Sequence, residues 1–341
     1  MIYLLFASSP NQLIGIKEYI FKNKIKNFKI YILLSNKNIF NNEFNRSIKF
    51  LKLKKITKIR NNKIFFVTTI KYIILIFYIF IKFRKKKLTF VIGDFLNTYF
   101  HFLRYFFKKS KFILVDDGFA SFWIYYKYFL KNIYLPINPI NMSKNWFSKE
   151  RDILKFLINF NFLKNKKIQL FTVYAELLGL NKKSLNDLSF CKTLRKDKKI
   201  DKNLNYIIGT KYYESNLLKL NDEIELLKKI INYQKNKKYV YVVKRSTSSK
   251  KISEIKKYLN ISVIYFGMPL ELALLKDNRK LPKNIFSLGS GLDMTIPTLF
   301  KKINIYLINI KGLKKNKWYK HSSKFFNLFF KLDQKKKIIN L

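Results

Sequence analysis

The chain is poor in the residues that build disulfides and zinc sites. Its 341 residues include one cysteine, Cys191, and two histidines, His101 and His321. One thiol cannot form an internal disulfide, and these three side chains do not supply an ordinary zinc ligand set. We therefore expect no zinc site of the usual kind, and either a reducing compartment or indifference to redox state. Structural or surface roles are expected for both histidines.

Long apolar runs are also absent. The longest, residues 72–81, has ten residues, whereas a membrane-spanning helix needs about 20. The apolar residues 2–7 follow no charged leader, which predicts a first strand and not a signal peptide. The expected location is the cytoplasm, with peripheral contact to the inner face of a membrane as a further possibility.

Acidic residues are scarce, at 20 against 70 basic ones, which gives a formal net charge of +50. Such a charge favours a nucleic acid or an anionic membrane surface as partner. However, the lysines are spread over nearly every segment, beside many Asn, Ile, Phe and Tyr, and an AT-rich coding sequence also produces this mixture. No helix-turn-helix, RRM or KH signature is present. We therefore expect no nucleic acid partner. A basic nucleic-acid-binding protein is the alternative to that expectation.

The hydrophobic content of 48% excludes wholesale disorder, and the length allows two domains. Apolar runs alternate with helical segments, which predicts parallel sheets. The first half has predicted strands at 2–7, 28–34, 63–68, 88–93 and 112–115, and helices at 10–22, 72–83 and 97–107. The rhythm is lost between 119 and 203, and it returns from 206 to 308.

This pattern occurs without a lysine-containing P-loop or a G-x-G-x-x-G fingerprint. It predicts an α/β fold, in which two Rossmann-like domains face each other across a central cleft. The predicted domains are residues 1–200, which include a connecting segment, and residues 201–310. Residues 311–341 form a separate basic and aromatic C-terminal segment.

Two adjacent carboxylates, Asp116 and Asp117, follow a predicted buried strand and precede Gly118. Open α/β sheets keep their chemistry at such strand ends. Repulsion between neighbouring carboxylates is expected to raise the pKa of one, which suits it to accept a proton near neutral pH. A solvated turn after a strand is the structural alternative.

A cationic stretch follows a predicted strand in the second half. Residues 243–249 (VKRSTSS) place Lys244 and Arg245 before four hydroxyl side chains that are suited to cap the next helix. Positive charge, hydroxyls and free helix amides together favour an anion site. An ordinary basic turn is equally compatible with so lysine-rich a chain.

Two further turns have the same position relative to strands. Residues 267–271 (GMPLE) put Glu271 in the first turn of a helix, where a glutamate commonly pairs with the helix dipole. Residues 287–291 (SLGSG) form a turn of small residues, which suits either a phosphate on its backbone amides or a simple tight turn.

Five stretches together resemble, in order and spacing, the motifs of bacterial sialyltransferases. They are SSPNQLIGIKE (8–18), VDDG (115–118), YVVKR (241–245), GMPLE (267–271) and FSLGSGLDM (286–294). The related types are lipooligosaccharide α-2,3-sialyltransferases and capsular polysialyltransferases. The resemblance spans the chain and implies a GT-B fold and inverting transfer of sialic acid from CMP-sialic acid. It implies no metal or other cofactor.

Under that resemblance, Asp116 matches the first residue of the D/E-D/E-G motif. The implied role of Asp116 is the general base that takes the proton from the acceptor hydroxyl. Asp117 and Gly118 are implied to shape the turn that presents it.

The donor site implied by the resemblance lies in the second half. Glu271 would accept hydrogen bonds from the ribose of CMP, and Ser290 would hold the phosphate, with Gly289 in place of the family's first serine. Lys244 stands where the family has a histidine. With Arg245 it would stabilise the leaving phosphate electrostatically, although a lysine of ordinary pKa is a poor proton donor at pH 7.

The C-terminal stretch 311–337 interleaves lysines with aromatic residues, which favours an anionic membrane surface that displays lipid-linked acceptor glycans. A terminal helix packed across both domains is the alternative. The function that the resemblance implies is an inverting glycosyltransferase that moves sialic acid, or a related nonulosonic acid, from a CMP-activated donor to a glycan in lipooligosaccharide or capsule polysaccharide synthesis. A catalytically impaired relative that only binds a nucleotide sugar is the other alternative.

Overall fold

The computed structural model describes residues 1–34, 38–60, 65–135, 165–245, 247–309 and 337–340. The chain divides into two compact units, unit 1 (Met1–Asn186) and unit 2 (Asp187–Leu341). The predicted division at 200/201 falls at the first strand of the second sheet. The interpretation of the C-terminal stretch, and of His321 within it, concerns residues 311–336, which lie outside the described residues, whereas Lys337 begins a strand of the second sheet.

In unit 1, the described residues form six strands and five α-helices. The strands are β1 (Ile2–Ala7), β2 (Phe28–Leu34), β3 (Ile56–Arg60), β4 (Leu88–Ile92), β5 (Lys111–Val115) and β6 (Gln169–Phe171). The helices are α1 (Pro10–Lys22), α2 (Asn38–Phe50), α3 (Phe65–Phe83), α4 (Thr98–Phe106) and α5 (Phe119–Lys127). All neighbouring strands are parallel, in the order β3-β2-β1-β4-β5-β6.

In unit 2, the described residues form six more strands. These are β7 (Ile200–Ile208), β8 (Lys238–Val242), β9 (Ser262–Ile264), β10 (Leu281–Ser287), β11 (Asn304–Asn309) and β12 (Lys337–Asn340). The helices are α6 (Ser189–Thr193), α7 (Leu220–Tyr233), α8 (Ser249–Leu259), α9 (Leu270–Lys276) and α10 (Leu292–Leu299). The parallel sheet has the order β12-β11-β10-β7-β8-β9.

The two sheets share one topology. Numbered within its own unit, each follows the strand order 3-2-1-4-5-6 of a doubly wound nucleotide-binding domain. The prediction of two Rossmann-like parallel domains is confirmed.

The predicted third strand at 63–68 is wrong. Residues 56–60 form that strand, and helix α3 begins at Phe65. The β-branched residues near 65 suggested a strand, but the stretch from Phe65 to Phe83 stays mostly apolar and is too long for one strand. Tyr72, Ile76 and Ile79 are buried at helical spacing, so packing against the sheet outweighs local β propensity.

Aromatic side chains form much of both cores. In unit 1 the ring of Phe6 stacks on Tyr31 at 5.0 Å, and the ring of Phe90 stacks on Phe112 at 4.7 Å. In unit 2 the ring of Phe286 stacks on Tyr306 at 4.9 Å. The residues that alternate with these rings, such as Leu5, Val91 and Ile285, are buried as well. Both faces of each sheet are therefore covered, as parallel sheets require. Within the described part of the chain, no helix combines the length and apolar character needed to cross a membrane.

Candidate functional site

The strand order locates one candidate site in each unit. Open α/β sheets bind ligands outside the carboxyl ends of the strands where the strand order reverses. That point lies between β1 and β4 in unit 1 and between β7 and β10 in unit 2. The predicted site residues all lie in loops or first helical turns beyond strand ends.

Asp116 directly follows β5 and is bound by the loop after β6. Its Oδ2 accepts a hydrogen bond from the Val173 N–H at 2.9 Å and from Asn186 Nδ2 at 3.3 Å. Its Oδ1 is shielded from solvent and accepts no hydrogen bond of good geometry from the described residues. Burial raises the pKa of Asp116 to about 6, and nearby donors, chiefly the Thr172 hydroxyl, oppose the rise. The carboxyl group is thus mostly ionised at pH 7 and basic enough to take a proton.

Asp117 forms hydrogen bonds with two serine hydroxyls. Its Oδ1 accepts a hydrogen bond from Ser9 Oγ at 3.2 Å, and its N–H donates to Ser121 Oγ at 2.9 Å. Gly118 follows with φ 61° and ψ −140°, a conformation that residues with a Cβ avoid. The repulsion expected between the two adjacent carboxylates is not what raises the pKa of Asp116; burial is.

Asp94 is a site residue that the sequence reasoning missed. It follows β4 at the point where the strand order reverses, and its Oδ2 accepts from Ser8 Oγ at 3.3 Å. Its Oδ1 accepts from the Leu96 N–H at 3.0 Å. Burial, with a further contribution from the charge of Asp117, raises the pKa of Asp94 to about 7. The signal was available, because Gly-Asp after the apolar strand LTFVI repeats the strand-end pattern of Asp116.

The loop between β1 and α1 is held by Gln12. Its Oε1 accepts from the Ser8 N–H at 2.7 Å and the Ser9 N–H at 3.2 Å. A Cβ at Gly93 would overlap the Gln12 side chain, so glycine permits this approach of β4 to α1. The first motif, SSPNQ, therefore places two serine hydroxyls beside the carboxyls of Asp94 and Asp117.

In unit 2, Lys244 lies just beyond β8 and is half-buried, and Arg245 beside it is exposed. Burial lowers the pKa of Lys244 to about 8, and the charge of Lys211 acts in the same direction. Asp293, in α10, opposes the shift. Lys211 follows β7 and Asp293 follows β10, so the groups that act on Lys244 come from both sides of the strand-order reversal.

The other predicted donor residues surround the start of α10. Gly289 has φ 91°, and the Ser290 N–H donates to Asp293 Oδ2 at 2.7 Å. Glu271, in α9, accepts a hydrogen bond from Thr295 Oγ1 at 2.7 Å, and burial raises its pKa. Unit 2 thus brings Lys244, Ser290 and Glu271 to one end of its sheet, in contact with or under the electrostatic influence of α10.

A second missed residue, Lys251, stabilises the loops of this site. Its side chain is fully buried; Nζ donates to the Thr210 carbonyl at 2.9 Å and pairs with Glu223. Glu214 Oε2 lies 3.6 Å away, and Oε1 of the same residue accepts from the Ser248 N–H at 2.9 Å. The network joins the loop after β7 to the start of α8. Nothing in the sequence distinguishes Lys251 from the chain's other lysines.

Across the described ranges, no group of three or more His, Cys, Asp and Glu side chains could hold a metal ion. His101 is buried in unit 1, where its Nε2 lies 2.7 Å from the Phe95 carbonyl and its Nδ1 3.0 Å from Arg104 Nη1. Burial, with the nearby charge of Arg104, lowers the pKa of His101 to about 3. This environment fits the structural role expected for it.

Comparison with known proteins identifies the fold class. No protein-family model and no curated protein matches the sequence. Among solved structures, S. aureus MnaA with UDP has a TM-score of 0.54 at 12% identity, over 90% of this chain and 79% of that one. UDP-GlcNAc 2-epimerase from Methanocaldococcus jannaschii, in complex with UDP-GlcNAc and UDP, has a TM-score of 0.51 at 17% identity, over 90% and 83%.

A putative UDP-N-acetylglucosamine 2-epimerase from Listeria monocytogenes also has a TM-score of 0.51, at 10% identity, over 89% of this chain and 78% of that one. At these identities the likeness concerns the fold alone, and it confirms the predicted GT-B-like class of two Rossmann-like domains. Two of the three structures are described as epimerases and none as a sialyltransferase, so the sialyltransferase resemblance stays a prediction.

Proposed function

We propose that this protein is an inverting glycosyltransferase that uses a nucleotide-activated sugar, and that the donor is CMP-sialic acid or a related CMP-nonulosonate. The observation that carries the proposal is the placement of the motif residues. The Asp116 carboxylate, whose pKa is raised, lies at the carboxyl end of the first sheet. The cationic Lys244 and the hydroxyl of Ser290 lie at the carboxyl end of the second sheet. The fold shared with proteins solved in complex with UDP and UDP-GlcNAc supports a nucleotide-sugar ligand.

In unit 1, Asp116 acts as the general base. As the acceptor hydroxyl attacks the anomeric carbon, its proton passes to the Asp116 carboxylate and the bond from that carbon to the CMP phosphate oxygen breaks. A base with a pKa near 6 is ionised at pH 7 and still accepts a proton from a hydroxyl that is losing it. The Val173 and Asn186 donors orient the carboxyl group.

In unit 2, Lys244 and Arg245 balance the charge that develops on the leaving phosphate. The lysine at this position differs less in acidity from the histidine of sialyltransferases than the sequence alone implies. Burial brings the pKa of Lys244 to about 8, so this lysine releases a proton more readily than an ordinary lysine. Ser290 and Gly289 form the phosphate turn, and the Glu271 carboxyl group receives the ribose hydroxyls.

The proposed acceptor is a glycan of lipooligosaccharide or capsule polysaccharide synthesis, carried on a lipid. The reaction as proposed needs no metal or other cofactor, because Lys244 and Arg245 supply the positive charge at the phosphate.

A second candidate is an epimerase that acts on a UDP-sugar. It is favoured by one observation, the similarity in fold to UDP-GlcNAc 2-epimerases. The two candidates differ in the nucleotide that binds and in the product, so one set of assays separates them.

The test combines the purified full-length protein with CMP-sialic acid or UDP-GlcNAc, with and without sialylatable oligosaccharides. CMP release that requires an acceptor, together with an acceptor whose mass has grown by one sialic acid, would support the transferase. Conversion of UDP-GlcNAc to its C2 epimer would support the epimerase. Absence of turnover with either donor, and no binding of CMP or UDP in calorimetry, would reject both.

A further inference from the structure

Helix α3 exposes an apolar stripe. Five large hydrophobic side chains on this helix are between 39% and 67% exposed: Ile70, Ile74, Phe77, Tyr78 and Ile81. Their positions recur every three or four residues, so they share one face. A helix at the surface of a water-soluble domain normally has polar residues there. Clustered exposed hydrophobic residues mark an interaction site more often than scattered ones do.

The opposite face of α3 anchors the helix to unit 1. Tyr72, Ile76, Ile79 and Phe83 are buried in the core cluster that covers the sheet. Because these side chains pack against the domain, α3 can place only its outer face in contact with another surface. The geometry is that of a helix lying along an interface and not of one crossing a bilayer.

The surroundings of the stripe are strongly cationic. Lys71 and Lys82 are exposed on the same helix, and residues 84–87 (RKKK) follow it, also exposed. Lys82 Nζ donates a hydrogen bond to the Tyr78 hydroxyl at 2.7 Å and lies 5.1 Å from the centre of its ring. Residues 44–93 contain fourteen Lys and Arg and no Asp or Glu.

We propose that the exposed face of α3 docks unit 1 onto an anionic phospholipid surface. The isoleucine and phenylalanine side chains would enter the boundary between headgroups and acyl chains, and the lysines at either end would bind lipid phosphates.

Charge distinguishes this occupant from a second copy of the chain. Two copies that paired through this face would bring two acid-free cationic rims together, on chains that each carry +50, and like charges repel. A nucleic acid would satisfy the rim but would leave the apolar centre of the face without a partner.

The test is flotation of the full chain with vesicles of phosphatidylcholine alone and with vesicles of phosphatidylcholine mixed with the anionic lipid phosphatidylglycerol. The variant Ile74→Ser/Phe77→Ser/Ile81→Ser should lower the partition coefficient on anionic vesicles at least about tenfold, because three apolar side chains would no longer be buried in the lipid on binding. The matched control is Ile39→Ser/Leu130→Ser/Tyr258→Ser, which removes three exposed hydrophobic side chains elsewhere and should bind as wild type does. Lys82→Gln should lower binding by about fivefold, the effect of one cation near an anionic surface.

A second measurement does not depend on the triple variant folding. A cysteine placed at Ile74 and labelled with a polarity-sensitive fluorophore should shift its emission to the blue on anionic vesicles, and the same label at Leu130 should not. Equal binding by wild type and the triple variant, or no binding of wild type to anionic vesicles, would overturn the proposal. So would a wild-type dimer in light scattering that the triple variant converts to a monomer, since the face would then be a subunit interface.

Discussion

At the carboxyl end of the first sheet the titratable side chains described for the candidate site are carboxyls, whereas at the same end of the second sheet Lys244 and Arg245 accompany the carboxyls of Glu271 and Asp293. Both sheets follow one strand order. Asp116 and Asp94 come after strands of unit 1, and Lys244 comes after the second strand of unit 2. The fold therefore determines where a site forms, and the residues at the strand ends determine the sign of its charge.

Burial acts on the two sites in opposite directions. It raises the pKa of Asp116 to about 6 and that of Asp94 to about 7, and it lowers the pKa of Lys244 to about 8. Desolvation disfavours whichever form is charged. The pKa values of aspartate and lysine side chains differ widely in free solution, but at these sites they approach the same neutral range. Proton exchange is therefore possible at physiological pH.

The largest effect is expected from Asp116→Asn in unit 1. An amide cannot take the acceptor proton, so kcat for sugar transfer should fall by about 10²–10⁴-fold. Nucleotide affinity, measured by calorimetry, should stay the same, because the nucleotide site is assigned to unit 2. The control is Asp197→Asn, which alters an exposed carboxylate just before β7, at the opposite end of the second sheet from its candidate site. Wild-type kcat in Asp116→Asn would exclude the general-base role.

In unit 2, Lys251→Met should lower the free energy of unfolding by about 3–5 kcal/mol, the usual effect of leaving a buried charge unpaired. Glu223, itself buried, would lose its cationic partner. Urea unfolding followed by circular dichroism measures the loss. Lys250→Met, at the exposed neighbouring position, should change stability little. Equal losses in the two variants would show that the Lys251 network contributes nothing specific.

The pH profile of kcat/KM should be bell-shaped, with an acidic limb from Asp116 and a basic limb from Lys244. Asp116 must be ionised, so activity should fall about tenfold per pH unit as pH drops below about 6. Lys244 must be protonated, so activity should also fall as pH rises above about 8. Lys244→Arg keeps its charge at all these values and should remove the basic limb. A profile that is flat from pH 5 to pH 9 would contradict both assignments.

The smallest of these effects concerns Glu271→Gln. The amide offers a weaker acceptor to the ribose hydroxyls, so the Kd for the nucleotide should rise about tenfold, as expected for loss of one charge-assisted hydrogen bond. Glu225→Gln alters an exposed glutamate on α7 and serves as the control. An unchanged Kd in Glu271→Gln would remove the ribose role, and Glu271 would then serve only to bind Thr295.

Much of the fold could be predicted from local patterns. The alternation of apolar strands and capped helices predicted parallel sheets, because burial on both faces leaves continuous apolar runs that local sequence displays. The same logic failed for α3, since its first residues favour a strand and only packing against the sheet selects the helix. For the site, the strand-end position of Asp116 and of Lys244 was predictable, and their partners were not.

The sequence by itself determined the repeating strand and helix rhythm, the cationic character of the chain and the placement of an acidic pair directly after a strand, because these follow from neighbouring residues. The tertiary structure decided which groups meet. The Ser8 hydroxyl contacts Asp94 across 86 positions, and Val173 contacts Asp116 across 57. It also decided the pKa values, because desolvation depends on everything that surrounds a group and not on its position in the chain.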